Sequence, residues 1–275
     1  MNRLLTTRNC IIVIALLALA VYAVHLGNAF LDLDDQTFIF KNPLVLQGTF
    51  FASFTQFTNL LYVPLTMVSW QLTNVFFGMN AWAFHGTDLL LHIINGALVF
   101  LLLEKFTQHR FASLLAALVF VIHPLNSEAV LWASQRKDLL SACFALLSIH
   151  TYIKYLEHER TSLLKVGVFP LPILFLVIDW ATGRRFTSRV FLEKAPMLAA
   201  ALIFIYVGTL GAQQFLAPIG LQTMILLAAK GTAYQLFRFL GPWQPNVFLH
   251  QQTPVTFADP VFVISMIVSR RCTSS

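Results

Sequence analysis

Charge is what this chain has least of. Asp, Glu, Lys and Arg make up 11% of its 275 residues, less than half the ~25% usual in soluble domains. That excludes an ordinary water-soluble globule. With 57% hydrophobic residues and a mean hydropathy of +0.73, the composition is that of an all-α polytopic membrane protein. Cysteine is scarce too. Cys10, Cys143 and Cys272 stand far apart and offer neither a metal-ligand spacing nor a disulfide framework. There is no glycine-rich phosphate loop, no dinucleotide fingerprint and no nucleophile elbow, so a sugar nucleotide used from the cytosol is not the expected substrate. No tandem repeat or low-complexity tract is present. The net charge of +6 does not indicate nucleic acid. No basic patch is interleaved with aromatics in a soluble segment, and surplus Lys and Arg in a membrane protein mark cytoplasmic loops.

What the chain does have is long apolar runs and 26 phenylalanines, which suit lipid-facing and interior packing. Cys10–Leu31 is long enough to cross a bilayer, which takes ~20 apolar residues. Arg3 and Arg8 precede it and no small-residue cleavage motif follows, so it reads as a retained signal anchor. Further spans are expected at Gly86–Leu103, Phe111–Ile122, Leu139–Tyr155, Val166–Trp180 and Ala195–Gly211. A truncated last span at 261–268 brings the total to about six to seven membrane segments. Phe111–Ile122 is short and runs into His123–Pro124, as a broken helix lining a cavity would. Residues 1–275 thus read as one membrane domain.

Arg3 and Arg8, then Lys105 and Arg110, then Lys154, Arg160 and Lys165 alternate as the positive-inside rule requires for a cytoplasmic N-terminus. The long first loop 32–85 and the loop 123–138 then lie on the outer face. Arg184, Arg185, Arg189 and Lys194 break the alternation, since only one expected span separates them from Lys165. Pro170 and Pro172 lie in that span, leaving either a re-entrant hairpin or a missing helix. In 219–240, Lys230, Tyr234 and Arg238 share one stripe, which suggests an interfacial helix.

Four clusters carry candidate chemistry. Asp32, Asp34 and Asp35 stand just beyond the first span. Acids there are ordinarily solvated loop residues, but clustered carboxylates perturb one another and one can serve as a general base. His85, Asp88, His92 and Asn95, spaced by three and four, share one face of a helix entering the membrane. Such groups either hydrogen-bond neighbouring helices or face a substrate cavity. The His/Asp/His pattern also resembles a metal site, but Asp88 orients a histidine equally well without metal, and no metal is expected. In HPLNSEAVLWASQRKDLL, Asn126 is the expected cap of a new helix with Glu128 in its first turn, where the helix dipole favours an acid. Arg136 and Lys137 fall on the outer side, against the charge trend. Cations so placed can hold a phosphate, and Asp138 can pair with one of them. Lys165 reads either as a snorkelling anchor or as a ligand.

The segments LDLDDQTFIFKNP, YVPLTMVSWQLTNVFFGMNAWAFHGTDLLLHIIN and HPLNSEAVLWASQRKDLL resemble the membrane half of the transmembrane and tetratricopeptide-repeat O-mannosyltransferase-like family, a half shared with bacterial relatives. The match in order and spacing runs from about Phe30 to Tyr155. TFADPVFVISM and LEKAPMLAAALIFIYVGTLGAQ match more weakly. The resemblance implies a C-type (GT-C) glycosyltransferase bundle. Such enzymes move a sugar, here with mannose the first candidate, from a polyisoprenyl-phosphate donor to a hydroxyl of a protein or glycan acceptor on the periplasmic or luminal face.

By that resemblance Asp34 and Asp35 fall on the family's acidic pair, with Asp34 the expected base, and Glu128 on its acid after His-Pro. Arg136, Lys137 and Asp138 fall on its Arg-Lys-Asp run. His85, His92, Asn95, His123 and Lys165 are carried as substrate-binding positions. No cofactor is expected beyond the lipid-linked sugar. Partners are membrane lipid, donor and acceptor, without nucleic acid.

The chain departs from the family pattern at Val63 (usually Arg), Asp88 (Asn), Asn126 (His) and Gln135 (Gly). A helix before LLKVGVFPLP is missing, which would explain the broken charge alternation. The repeat domain is absent and the chain stops at SRRCTSS. The alternative expectation is therefore a truncated, non-catalytic relative serving as a membrane-assembly or scaffold protein. A bacterial inner membrane is the expected location, with the endoplasmic reticulum membrane as the alternative.

Overall fold

The computed structural model describes residues 6–31, 34–58, 61–158 and isolated positions from 178 to 207. The chain divides into two compact units, Met1–Gln214 and Phe215–Ser275, and every described residue belongs to the first. Asp32, Lys165, most of the expected span 166–180, the expected helix 219–240 and the expected last span 261–268 lie outside the described residues. Of the expected span Ala195–Gly211, the described positions, among them Leu198, Leu202, Ile203 and Tyr206, are helical.

The first helix, α1, runs over Thr7–Tyr22, its start capped by the Thr6 hydroxyl accepting from the Asn9 N–H at 3.2 Å. A 3-10 turn, Ala23–His25, extends it. It buries Cys10, Ile14, Ala18 and Tyr22, one residue per turn, and leaves Ile12, Val13, Leu16 and Leu19 exposed. An apolar helix buried along one stripe and bare elsewhere is at rest only in hydrocarbon.

The loop 32–85 is not extended coil. It holds a π-helical turn Gln36–Phe40, the short helix α2 (Pro43–Gln47), a 3-10 turn Phe50–Phe54 and the helix α3 (Pro64–Phe77). Helix α4, Ala81–Thr107, follows after an Asn80 cap. Its 27 residues reach ~40 Å, against ~30 Å of hydrocarbon. Gln108 closes it in the left-handed region (φ 56°), and an Arg110–Glu104 ion pair clasps the reversal into α5, Arg110–Ile122. His123–Pro124 then bends the chain by 56° into α6, Pro124–Leu131, the broken helix the sequence predicts. The last long helix, α7, is Arg136–His158.

Helices α1, α4 and α5 meet at Gly96. A Cβ there would stand 2.6 Å from Val121 Cγ2 and 3.1 Å from Ile14 Cγ2, so only glycine allows this approach. The core around it comprises Cys10, Ile14, Ala18 and Tyr22 of α1 with Leu89, Phe100, Leu114, Ala117 and Val121. A second cluster joins Ile39, Val45, Met67, Trp70 and Phe84 to Ala133, seating the first loop on the 3-10 turn Ala133–Gln135 that leads into α7.

The protein is a helical membrane protein, with no β-strand among the described residues. Two helices there are long and apolar enough to cross a bilayer, Thr7–His25 and Ala81–Thr107, and the bent pair α5–α6 makes a third if taken as one span. The expected count of six to seven is not reached among the described residues. Helix α7 covers the expected span Leu139–Tyr155, but Ser141, Ser148, His150, Thr151 and Lys154 make it more polar than the other two.

Candidate active site

The end of the bundle that carries Asp34 and Asp35 is built by three strips of chain: 28–42, the start of α4, and 131–138. Asp35 ties them together. It is fully buried, one carboxylate oxygen accepting from the Leu31 N–H at 3.0 Å and the other from the Ser134 N–H at 2.8 Å, across 99 residues of sequence. Trp70 adds a parallel tie, its indole N–H donating to the Ala133 carbonyl at 3.3 Å. Asp34, one helical step round, is exposed. The adjacent acids are therefore placed differently: Asp35 is spent on backbone, while Asp34 keeps its carboxylate at the surface.

Arg136 is placed otherwise than the sequence suggests. Its side chain is fully buried, and Nε donates to Asp88 at 2.5 Å on a different helix, not to the neighbouring Asp138, which is exposed. The rest of the fork is also taken. Nη1 donates to Thr73 Oγ1 at 2.9 Å and the Ser69 carbonyl at 3.3 Å, Nη2 to the Phe84 carbonyl at 3.0 Å, and the cation lies over the Phe84 ring. A guanidinium so enclosed fastens α3, α4 and α7 together instead of facing outward. Lys137 is the cation that remains: half-buried, its ammonium donates to Gln135 Oε1 at 2.6 Å and the Ser134 carbonyl at 3.3 Å, with no carboxylate among its described partners.

The polar face of α4 is buried as a unit, but its members do different things. His92 Nε2 meets the Val121 carbonyl at 2.9 Å, beside the Tyr22 hydroxyl that donates to the same oxygen at 3.2 Å. Asn95 Nδ2 donates to the Leu139 carbonyl at 2.9 Å. Both are helix-to-helix bonds, the bland alternative the sequence allows. His85 differs. It is buried against the Phe30 ring, with Asp35 and Arg136 near enough to act on it electrostatically. Neither ring nitrogen makes a hydrogen bond, and the backbone of Asn28 and Ala29 faces it outside hydrogen-bonding geometry. Trp132 Nε1, Ser134 Oγ and Asp88 Oδ2 are likewise buried without partners. Native proteins rarely leave buried polar atoms unmatched, so such a group points to a ligand or ordered water.

His123, not Asn126, caps α6: its Nδ1 accepts from the Leu125 N–H at 3.2 Å, while Asn126 Nδ2 donates back to the Phe120 carbonyl at 2.6 Å. With the helix starting at Pro124, Glu128 falls beyond the first turn, on a half-buried face. Asp138 does lie in the first turn of α7. No group of three or more His, Cys, Asp or Glu among the described residues is arranged to hold a metal.

Sequence reasoning missed a second buried ion pair. Lys194 donates to Asp179 Oδ2 at 2.5 Å and to the Tyr152 hydroxyl at 2.9 Å, and that hydroxyl in turn donates to Asp179 Oδ1. Lys194 is thus no loop cation, and counting it as one overstated the conflict with the positive-inside rule.

No family model matches the chain, and no solved structure is similar to it. Sequence relatives exist. The chain is 31% identical over 108 residues to protein O-mannosyl-transferase TMTC2 of Mus musculus, 39% of this chain and 13% of that protein. It is 29% identical over 125 residues to human protein O-mannosyl-transferase TMTC1, 44% of this chain and 14% of that one. It is 37% identical over 98 residues to Drosophila melanogaster protein O-mannosyl-transferase Tmtc2, 35% of this chain and 10% of that one. The chain thus aligns with little more than a tenth of each relative's length. All three are animal proteins and lend no support to the bacterial inner membrane expected from the sequence. Over about two fifths of its length the chain is related to the TMTC protein O-mannosyl-transferases, and the TMTC-like resemblance drawn from its motifs stands.

Proposed function

We propose that this chain is a membrane glycosyltransferase of GT-C type that moves a sugar, with mannose the first candidate, from a polyisoprenyl-phosphate donor to a hydroxyl of a protein acceptor on the non-cytoplasmic face. The single observation that carries the reading is the relation to proteins named protein O-mannosyl-transferases. The site adds chemical sense. Asp34 is an exposed carboxylate held beside a buried, backbone-anchored Asp35. In the proposed step the acceptor hydroxyl gives its proton to Asp34 as its oxygen bonds to the anomeric carbon. The bond from that carbon to the phosphate oxygen breaks, and the electron pair leaves with the lipid phosphate. Lys137 is the cation free of any described acid to meet that phosphate. His85 and the indole N–H of Trp132 are unmatched buried groups for sugar hydroxyls or the phosphate.

The test is transfer of mannose from a polyisoprenyl-phosphate mannose to peptide in membranes. Asp34→Asn should lower the rate about 10²–10⁴-fold, the usual worth of a general base. Glu104→Gln, in the clasp at the opposite end of the bundle, should leave it unchanged. Full transfer by Asp34→Asn overturns the assignment of the base. No transfer by the unaltered chain, shown to be folded, overturns the activity.

A further inference from the structure

Helix α3 is built inside out. Its polar side chains point inward: Thr66, Gln71 and Thr73 are 4%, 2% and 5% exposed. Gln71 donates to the Leu44 carbonyl at 2.7 Å, Asn74 to the Val45 carbonyl at 3.1 Å, and Thr73 meets Arg136. Of its apolar side chains only Met67 and Trp70 join them in the interior; the others that stand clear point out. Val75, Phe76 and Phe77 are 69%, 73% and 60% exposed, and Leu65 and Leu72 share their side. The 3-10 turn before it does the same with Phe50, Phe51 and Phe54. A helix against water turns the opposite way. The sequence agrees: between Lys41 and Asp88 there is not one Asp, Glu, Lys or Arg, where a solvated surface carries ~25% or more.

The chain also fixes where this face can be. Only Gly78, Met79 and Asn80 join α3 to α4, a reach of ~11 Å when fully extended. Arg136 clamps the middle of α3, at Ser69 and Thr73, to Asp88 of α4. Asp88 lies ~10 Å along the helix from its start. So α3 runs beside the first turns of a spanning helix, at a bilayer boundary. That helix also leaves Trp82, Leu90 and Ile94 exposed.

We infer that α3 and the Phe50–Phe54 turn lie in the lipid of the leaflet at the acidic end of the bundle, their outward faces covered by hydrocarbon at the headgroup boundary. An interfacial helix seats its apolar face ~5–10 Å into that boundary. The first loop is then not an aqueous loop but a lipid-seated platform. The inference does not depend on the proposed activity.

The test is spin labelling of the full chain in lipid nanodiscs. Native cysteines are replaced by serine, and single labels are set at Val75→Cys and Phe51→Cys. Leu16→Cys on α1 is the lipid control, and His109→Cys in the opposite-end turn the water control. Collision with oxygen, which partitions into lipid, is compared with collision with a water-soluble nickel chelate. Labels at 75 and 51 should show an oxygen-to-nickel ratio above that at 109 and approaching that at 16. A ratio equal to that at 109 means water covers the face and overturns the inference. Low collision with both probes means protein covers it, a second copy included, and also overturns it. Should Val75→Cys fail to fold, the label at 51 decides.

Discussion

The buried Arg136–Asp88 pair gives the sharpest prediction, because removing one member strands the other. Both side chains are fully inaccessible. Breaking such a pair by deleting one partner costs about 3–5 kcal/mol, since an uncompensated charge stays in a medium that cannot solvate it. For a folded unit of roughly 150–250 residues each kcal/mol is worth about 2–4 °C in Tm, so Asp88→Leu or Arg136→Met should lower Tm by about 6–20 °C. The double variant should recover most of that loss. What Arg136 leaves behind is mostly satisfied: Thr73 Oγ1 already donates to the Ser69 carbonyl at 2.9 Å, and the Ser69 and Phe84 carbonyls belong to helices. Replacing a buried pair by apolar side chains is often neutral. Arg136→Lys should lie between, because an ammonium cannot reproduce the fork that reaches Asp88, Thr73 and the Phe84 carbonyl together. The assay is thermal unfolding in detergent or nanodiscs, read by monodisperse elution after heating. Single variants within about 1 kcal/mol of the parent, or losses that simply add in the double, would refute the buried unit and return Arg136 to the phosphate-binding role its sequence position suggests.

Three further outcomes are expected from the same geometry. Gly96→Ala forces a methyl into the Cγ2 groups of Val121 and Ile14 and should cost about 1–3 kcal/mol; Val121→Ala should restore part of the lost Tm, and an unchanged Tm in the single variant would sink the close-contact reading. His92→Phe and Tyr22→Phe each remove one of two bonds to the Val121 carbonyl. Each should cost about 0.5–1.5 kcal/mol, but together more than their sum, because only the pair orphans that oxygen; strict additivity in melting would speak against sharing. His85→Phe removes two unmatched buried nitrogens, so Tm should hold or rise while mannose transfer falls; a lower Tm with full transfer would make His85 a packing residue.

The spanning helices were legible because each is a run of apolar residues between polar markers. The bend at His123–Pro124 was legible because proline removes a donor inside an otherwise apolar run. The buried face of α4 was legible from spacing alone, but not the work of its members. Whether His92 binds substrate or a helix carbonyl depends on Val121 coming within 2.9 Å, and no local pattern encodes that. The partner of Arg136 was missed for the same reason: Asp138 is two residues away and Asp88 is 48, and proximity in sequence misled. The cap of α6 was misread because Asn is the stronger capping type, yet Pro124 starts the helix and leaves the cap position to His123. The helices of the first loop were hidden because their polarity is inverted. Periodicity reveals a helix, but only the surroundings say which face is inside.

The adjacent acids show how sequence, fold and function connect here. Neighbouring residues on a helical turn point ~100° apart, so two aspartates at that spacing cannot both face the same place. Asp35 takes the inward direction, where two backbone N–H donors receive it. Asp34 is thereby turned outward and left exposed. The same Ser134 that donates to Asp35 lies three residues before Lys137 and accepts from its ammonium. Asp34 and Lys137 are therefore both positioned through one segment, 134–137, which Arg136 fixes to α3 and α4. An acid and a cation so mounted keep a fixed separation. The proposed transfer between a lipid phosphate and a hydroxyl would draw on that, because effective catalysis depends on preset geometry more than on the strength of either group.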